Sequence, residues 1–316
     1  MLTFLTLVSS IFSIPNDRYE RRGNNIKMDY LGSLTIVSGL ILVVFSITES
    51  AHAPSGWRTP YIPVLFSVGV ILLLVAAWVE TKVSNPLLPP DIFAVKSMTP
   101  LTISLLLLYG TAGIFLLYGT QYFQHIMGAS PLQVVAWFVP TVLGGLILST
   151  VEGFILHLVS GRILLIISGL GALGAQLLLA LAPRGANYWA WILPATILLT
   201  VGIDLSINLM TVFVTTQLPK ARQGLAGGLI NSVLQLGIAL CLGLTDIIQT
   251  QTVESQGLRQ SYKNCFWFGT AVAAVTLALM TVWGGVPRAT SDLTADEKAE
   301  LRRVATQESE REREGE

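Results

Sequence analysis

The chain has 316 residues, of which 52% are hydrophobic and only 12% charged, and its mean hydropathy is +0.65. A soluble domain carries about twice that charge fraction, so this composition excludes an ordinary soluble protein. Formal net charge is zero, which gives no basis for a nucleic-acid partner.

The apolar residues come in blocks of about 18 to 25, the length a helix needs to cross a bilayer. Eight full spans follow in chain order: 30–48, 61–79, 99–121, 133–151, 162–182, 188–214, 224–248 and 264–286. The expected fold is therefore all-α and polytopic, with about eight full transmembrane helices plus a partial one. That partial block, residues 2–14, lacks the basic region and cleavage site of a signal peptide and reads as the cut-off end of a helix. The lipid bilayer is the first expected partner.

The loops give an orientation. Assigning the connections alternately to two sides places 15 of the 19 basic residues on one side, the side of "PNDRYERRGNNIKMD" and of the C-terminus. Cytoplasmic loops carry the basic excess, so the C-terminus is expected in the cytoplasm. The tail "TSDLTADEKAELRRVATQESEREREGE" alternates in charge sign. Thr294 and Glu297 fit a capping box for a short helix.

The segment "TVGIDLSINLMTVFV" sets Asp204 near the middle of a span. A charge there costs at least about 2.5–3.5 kcal/mol, so it should face the bundle interior or a wet cavity. Thr196, Thr200, Asp204, Asn208, Thr211 and Thr215 recur at steps of three or four. They occupy one helix face about 120° wide. A membrane-buried carboxyl that gains and loses water can take up and release a proton, which makes Asp204 the proton-coupling candidate. The other reading is a structural hydrogen-bond acceptor between helices. Thr200, Asn208 and Thr211 are cavity-lining candidates.

In the next span Gly224, Gly228, Asn231 and Gln235 share a face. The two glycines form a small-xxx-small pair suited to helix packing. Asn231 and Gln235 either line a cavity or bond across helices. Tyr118, Gln121, Tyr122 and His125 end the span at 99–121. They read as an interfacial aromatic belt, with Tyr118 and Gln121 as possible substrate contacts. Trp57 and Trp189 read as interface anchors. Asp29, Glu49, Glu80 and Asp246 stand at span ends, where water reaches them.

Cys241 and Cys265 read as two small buried hydrophobes, and no histidine cluster suggests a metal. No phosphate-cradling loop, nucleophile elbow or pair of intramembrane acids is evident. An enzyme is not expected, and no cofactor is called for.

Several stretches together resemble the fungal 14-helix drug:proton antiporters of the major facilitator superfamily. These are "MDYLGSLTIVSGLILVV", "GWRTPYIPVL", "NPLLPPDIF", "YGTQYFQHIMGASPLQVVAWFVP" and "TTQLPKARQGLAGGLINSVLQLGIALCLGL". The combination of "DLSIN" and "QGLAGGLINS" most resembles the aminotriazole-resistance and low-affinity ammonium transporter branch. The resemblance covers about residues 1–287. It implies a truncated helix at 1–14, a cytoplasmic loop at 15–29 and two linker helices with their loop at 30–96. A C-terminal six-helix bundle at 97–287 and a charged tail at 288–316 complete the division. A weak echo of the family's gating loop appears as Gly153, His157, Gly161 and Arg162, with His157 where an acid is usual.

The resemblance also implies a function. The chain would be the C-terminal portion of a proton-coupled secondary transporter exporting small organic molecules, drugs or a fungal secondary metabolite, from the plasma membrane. A low-affinity ammonium or small-cation transporter is the alternative. A further alternative is a truncated, non-transporting remnant or partner subunit. In this family the substrate sits between two halves, so the expected partners are a small-molecule substrate, protons, and the N-terminal half or another chain. A truncated gene model is the expectation for the missing half.

Overall fold

The computed structural model describes residues 30–82, 93, 97–217 and 220–284. The helix expected at 2–14, the loop at 15–29 and the capping box at Thr294 lie outside the described residues. So do the side chains of residues 156–157 and 215–222.

Among the described residues, eight helices long and apolar enough to cross a membrane follow one another: α1 (Tyr30–Glu49), α2 (Tyr61–Glu80), α3 (Met98–His125) and α4 (Pro131–Leu158), then α5 (Gly161–Leu181), α6 (Leu193–Gln217), α7 (Lys220–Gln256) and α8 (Leu258–Trp283). No strand occurs among the described residues. The eight spans read from the sequence coincide with these helices, but two run on past acidic residues that mark their ends in the hydropathy pattern. α4 continues to Leu158 rather than 151, and α7 to Gln256 rather than 248. At 37 residues α7 is about 55 Å long, well over the roughly 30 Å apolar thickness of a bilayer.

Local chemistry sets the helix starts. Ser130 precedes α4 with extended backbone, its side chain accepts from Gln133 N, and Pro131 takes the first helical position, where a missing N–H costs nothing. Asn187 caps the π-helical turn Tyr188–Ile192 that leads into α6, accepting from Trp189 N at 2.9 Å. Gly257, at φ 80, makes the sharp turn between α7 and α8.

The bundle is held by small residues and a few buried polar bonds. Lipid tails are as apolar as leucine, so helices in a bilayer associate through close packing and interhelical hydrogen bonds. α5 and α6 show both. A Cβ on Gly171 would lie 2.7 Å from the Leu198 carbonyl oxygen, and one on Gly202 would lie 3.0 Å from Ala172 N. Between them Ser168 Oγ donates to the Gly202 carbonyl at 2.6 Å. Gln176 on α5 is fully buried and donates from Nε2 to the Thr111 carbonyl of α3 at 2.6 Å. Gly269 of α8 lies flat against the same amide.

α8 packs on α3, α5 and α7, α3 also packs on α7, and α6 joins α5 to α4. The α1–α2 hairpin attaches to this bundle through α1 and α7, where Gly243 faces Ile47 and Thr48. Cys241 and Cys265 are buried free thiols in the interior. α4 is the least covered helix of the bundle, with Val142, Leu146 and Ile147 exposed. Its contact with α6 is confined to one narrow stripe.

Candidate functional site

That stripe carries the most unusual chemistry in the chain. α4 and α6 run side by side in the same direction. Gly144 faces Thr200, and Gly145 faces Asp204, whose Oδ2 would lie 2.9 Å from a Cβ at Gly145. Two turns further along α4, Glu152 meets Asn208, which stands one turn beyond Asp204 on α6. Asn208 Nδ2 donates to Glu152 Oε2 in a short hydrogen bond. Glu152 is only 2% exposed. Its second oxygen, Oε1, is buried without a hydrogen-bond partner, and so is Asp204 Oδ2. The two acids lie within electrostatic range of each other, and Tyr109 of α3 lies within range of Asp204.

The expectation that no pair of intramembrane acids exists is therefore overturned. Glu152 escapes the sequence reading because the span closes at residue 151, on meeting an acid. A signal for it does exist: Leu146, Ile147 and Leu148 precede Glu152, and Phe154, Ile155 and Leu156 follow it, so the apolar run spans the acid. What no single-chain pattern can give is that α4 and α6 are neighbours.

The threonines of the α6 stripe are largely internal to the bundle. Thr196 and Thr200 are buried, and their hydroxyls donate to Leu193 O and Thr196 O one turn back. Thr200 thus spends its polar group on its own helix and its methyl on Gly144. Thr211 is exposed, and its hydroxyl donates to Ile207 O. Thr211 and Asn231 line one cleft of about 330 Å³ between α6 and α7, together with Gln223 and Gly227. Gln235 is exposed one turn further along α7. Nothing in the described chain approaches Gly224 or Gly228, so their small-residue face is open.

Tyr118 and Gln121 belong elsewhere. They line a second cleft, of about 440 Å³, with Asp246 and Gln249 of α7 and Thr48 of α1. Asp246 does not end its helix, as its place in the sequence suggests; α7 continues ten residues beyond it. Tyr118 donates to Asp246 Oδ1 at 3.3 Å, and His52 Nδ1 lies 3.5 Å from Oδ2. Tyr122 is buried against Tyr262 and Phe266, and His125 Nδ1 lies 2.9 Å from the Tyr262 hydroxyl. The cavity-lining candidates are thus divided between two clefts and the α4–α6 interface.

The residues echoing a gating loop are also separated. Gly153 lies inside α4 with open space around it, and Gly161 is buried at the start of α5. His157 sits in the last turn of α4. Arg162 Nη2 donates to the Thr281 carbonyl at 2.6 Å, tying the start of α5 to the end of α8, where unsatisfied carbonyls attract a cation.

The family model described as Major Facilitator Superfamily matches residues 27–241. The chain belongs to the major facilitator superfamily. It is 30% identical to the aminotriazole resistance protein of Saccharomyces cerevisiae, over 86% of this chain and 50% of the relative. It is 28% identical to the low affinity ammonium transporter of the same yeast, over 89% and 55%, and 26% identical to the efflux pump terJ of Aspergillus terreus, over 86% and 53%. This major facilitator chain spans about half the length of the curated relatives it matches. The superfamily consists of membrane transporters rather than enzymes, and the eight bilayer-length helices are those of an integral membrane protein.

Proposed function

We propose that this chain forms part of a proton-coupled secondary transporter that exports small organic molecules, with Asp204 as its proton-coupling carboxyl. The observation that carries this reading is Asp204 Oδ2. It is a carboxyl oxygen buried between two bilayer-spanning helices, with no hydrogen-bond partner among the described residues. A purely structural acceptor would use its oxygens in hydrogen bonds. A carboxyl that changes protonation during transport needs one left available. The relatives support the same direction, since several carry the names efflux pump or resistance protein.

The size of the clefts favours organic substrates over ammonium. Openings of about 330 and 440 Å³ suit a small organic molecule, whereas ammonium calls for a narrow path. Asn231, Gln235 and Thr211 are exposed polar groups on a bilayer-length surface. Such groups do not face lipid comfortably. We assign them to a substrate path closed by a second set of helices, in the same polypeptide or another. Gln121 and Tyr118 extend the polar surface on the α3 side.

The test is proton-driven transport with Asp204→Asn in reconstituted vesicles. Loss of coupling with the protein still folded supports the assignment; unchanged coupling refutes it. The basic-loop asymmetry supports a cytoplasmic C-terminus, and the family resemblance supports the plasma membrane as its site. An epitope at the C-terminus should accordingly bind antibody only after cells are permeabilised. Binding on intact cells would reverse the orientation.

A further inference from the structure

The geometry points to Glu152 and Asp204 acting as one proton-binding unit, with a single exchangeable proton shared by two carboxyls on neighbouring helices and Asn208 positioning Glu152. The inference rests on the reading of Asp204 as the proton carrier, and adds a second acid that the sequence pattern does not expose.

Three observations place the two groups in one site. Glu152 and Asp204 stand on the facing stripes of α4 and α6: Gly145, two turns before Glu152, meets Asp204, and Glu152 itself meets α6 one turn beyond Asp204. Each keeps one buried oxygen without a partner, Oε1 of Glu152 and Oδ2 of Asp204. Asn208, one turn beyond Asp204, holds the remaining oxygen of Glu152 and so fixes that carboxyl against α6. Gly145 completes the site, because a side chain at that position would occupy the space of the Asp204 carboxyl.

Charge then decides the behaviour. Two carboxylates sharing a poorly solvated site cannot both ionise freely, because each charge disfavours the other. A basic partner would remove the conflict, but among the described residues no basic side chain forms an ion pair with either acid. Among the described residues, the titratable groups facing the pair are the acids themselves, from α4 and α6, and Tyr109 from α3. Asn208 donates a hydrogen bond and carries no charge. One proton therefore settles the pair, and losing it leaves two like charges together. The step is a proton transfer alone. An O–H bond at one carboxyl breaks, the proton passes to water, and the pair gains one negative charge. Movement of α4 against α6 would change the separation of the acids, linking helix motion to proton affinity.

Coupled sites titrate as a pair, and that is the measurable signature. The full chain in lipid vesicles is titrated while infrared difference spectroscopy follows the protonated carboxyl band. Wild type, Glu152→Gln, Asp204→Asn and the double variant are compared, the double variant supplying the baseline. Gln at 152 keeps an oxygen to accept from Asn208, which preserves the packing. The expected result is that the carboxyl remaining in each single variant loses its proton at a pH lower by about one unit or more than the proton-holding step of the wild type. Two single-variant titrations that simply add to give the wild-type curve would overturn the pair. The two single variants read the same coupling from opposite sides, so poor folding of either one leaves the test intact. Vesicle transport separates this inference from the reading beneath it. If Asp204→Asn abolishes coupling while Glu152→Gln changes neither coupling nor titration, the pair fails and Asp204 stands alone. If Asp204→Asn also leaves coupling unchanged, the underlying reading fails as well.

Discussion

Asp204→Asn is expected to abolish proton-coupled transport while leaving the protein folded. The two side chains are nearly the same size. The substitution removes a charge rather than a packed volume, so its effect on stability should stay within about 1 kcal/mol. An amide cannot take up and release a proton in the transport cycle. Loss of a positioned proton carrier typically costs about 100-fold or more in rate. Initial rates of substrate movement driven by a pH gradient would therefore fall to the leak of empty vesicles. Substrate binding measured at equilibrium should survive better than transport. If binding and transport fell together, Asp204 would be a substrate contact instead.

The second large effect belongs to packing. Gly171→Val should prevent the chain from reaching a stable fold. The atoms a side chain would meet there are backbone: Leu198 O at 2.7 Å and Gly202 N at 3.1 Å. Backbone cannot rotate aside as a flexible side chain can, so α5 and α6 would have to separate. Overpacking by even one methyl costs about 1–3 kcal/mol in a well-filled interior. Separation would also break the Ser168 to Gly202 hydrogen bond. Gly171→Ala should lower the melting temperature in detergent, and Gly171→Val should shift the protein into aggregate on size-exclusion chromatography. Gly153→Ala is the contrast. Among the described residues, nothing lies within 4 Å of a Cβ at Gly153, which is inside α4. Alanine there should be neutral or stabilising by up to about 1 kcal/mol. Equal damage at both positions would contradict the helix arrangement.

Much of this architecture is legible in the amino-acid sequence. Hydropathy blocks of bilayer length identify membrane helices because the bilayer imposes one length on all of them. Asp204 stands out for the same reason, as a charge in a run that should hold none. Legibility fails where an acid falls near a block's edge. Asp246 reads as a span-end acid and Glu152 falls just outside a span closed at residue 151, yet α4 and α7 continue past them. Hydropathy averages over a window and cannot distinguish a terminal acid from a buried one followed by another apolar turn. Pairing is illegible for a different reason. Asp204 and Glu152 are 52 positions apart in sequence, and only the packing of α4 on α6 brings them together. The same limit scatters the cavity candidates. Tyr118 and Asn231 look equivalent as polar groups on apolar helices, but they line different clefts.

These particulars suggest a division of labour. α5 and α8 bring glycines and buried amide bonds to the interior of the bundle. α4 meets α6 along the face that carries Glu152, opposite the α6 face that carries Asp204.

The most direct test of proton coupling is substrate movement in vesicles holding the unmodified protein, recorded before and after the pH gradient is collapsed with a protonophore. The proposed function predicts that substrate accumulation stops when the gradient is lost and that adding substrate drives measurable proton flux. Accumulation that continues unchanged, with no proton movement on adding substrate, would contradict it.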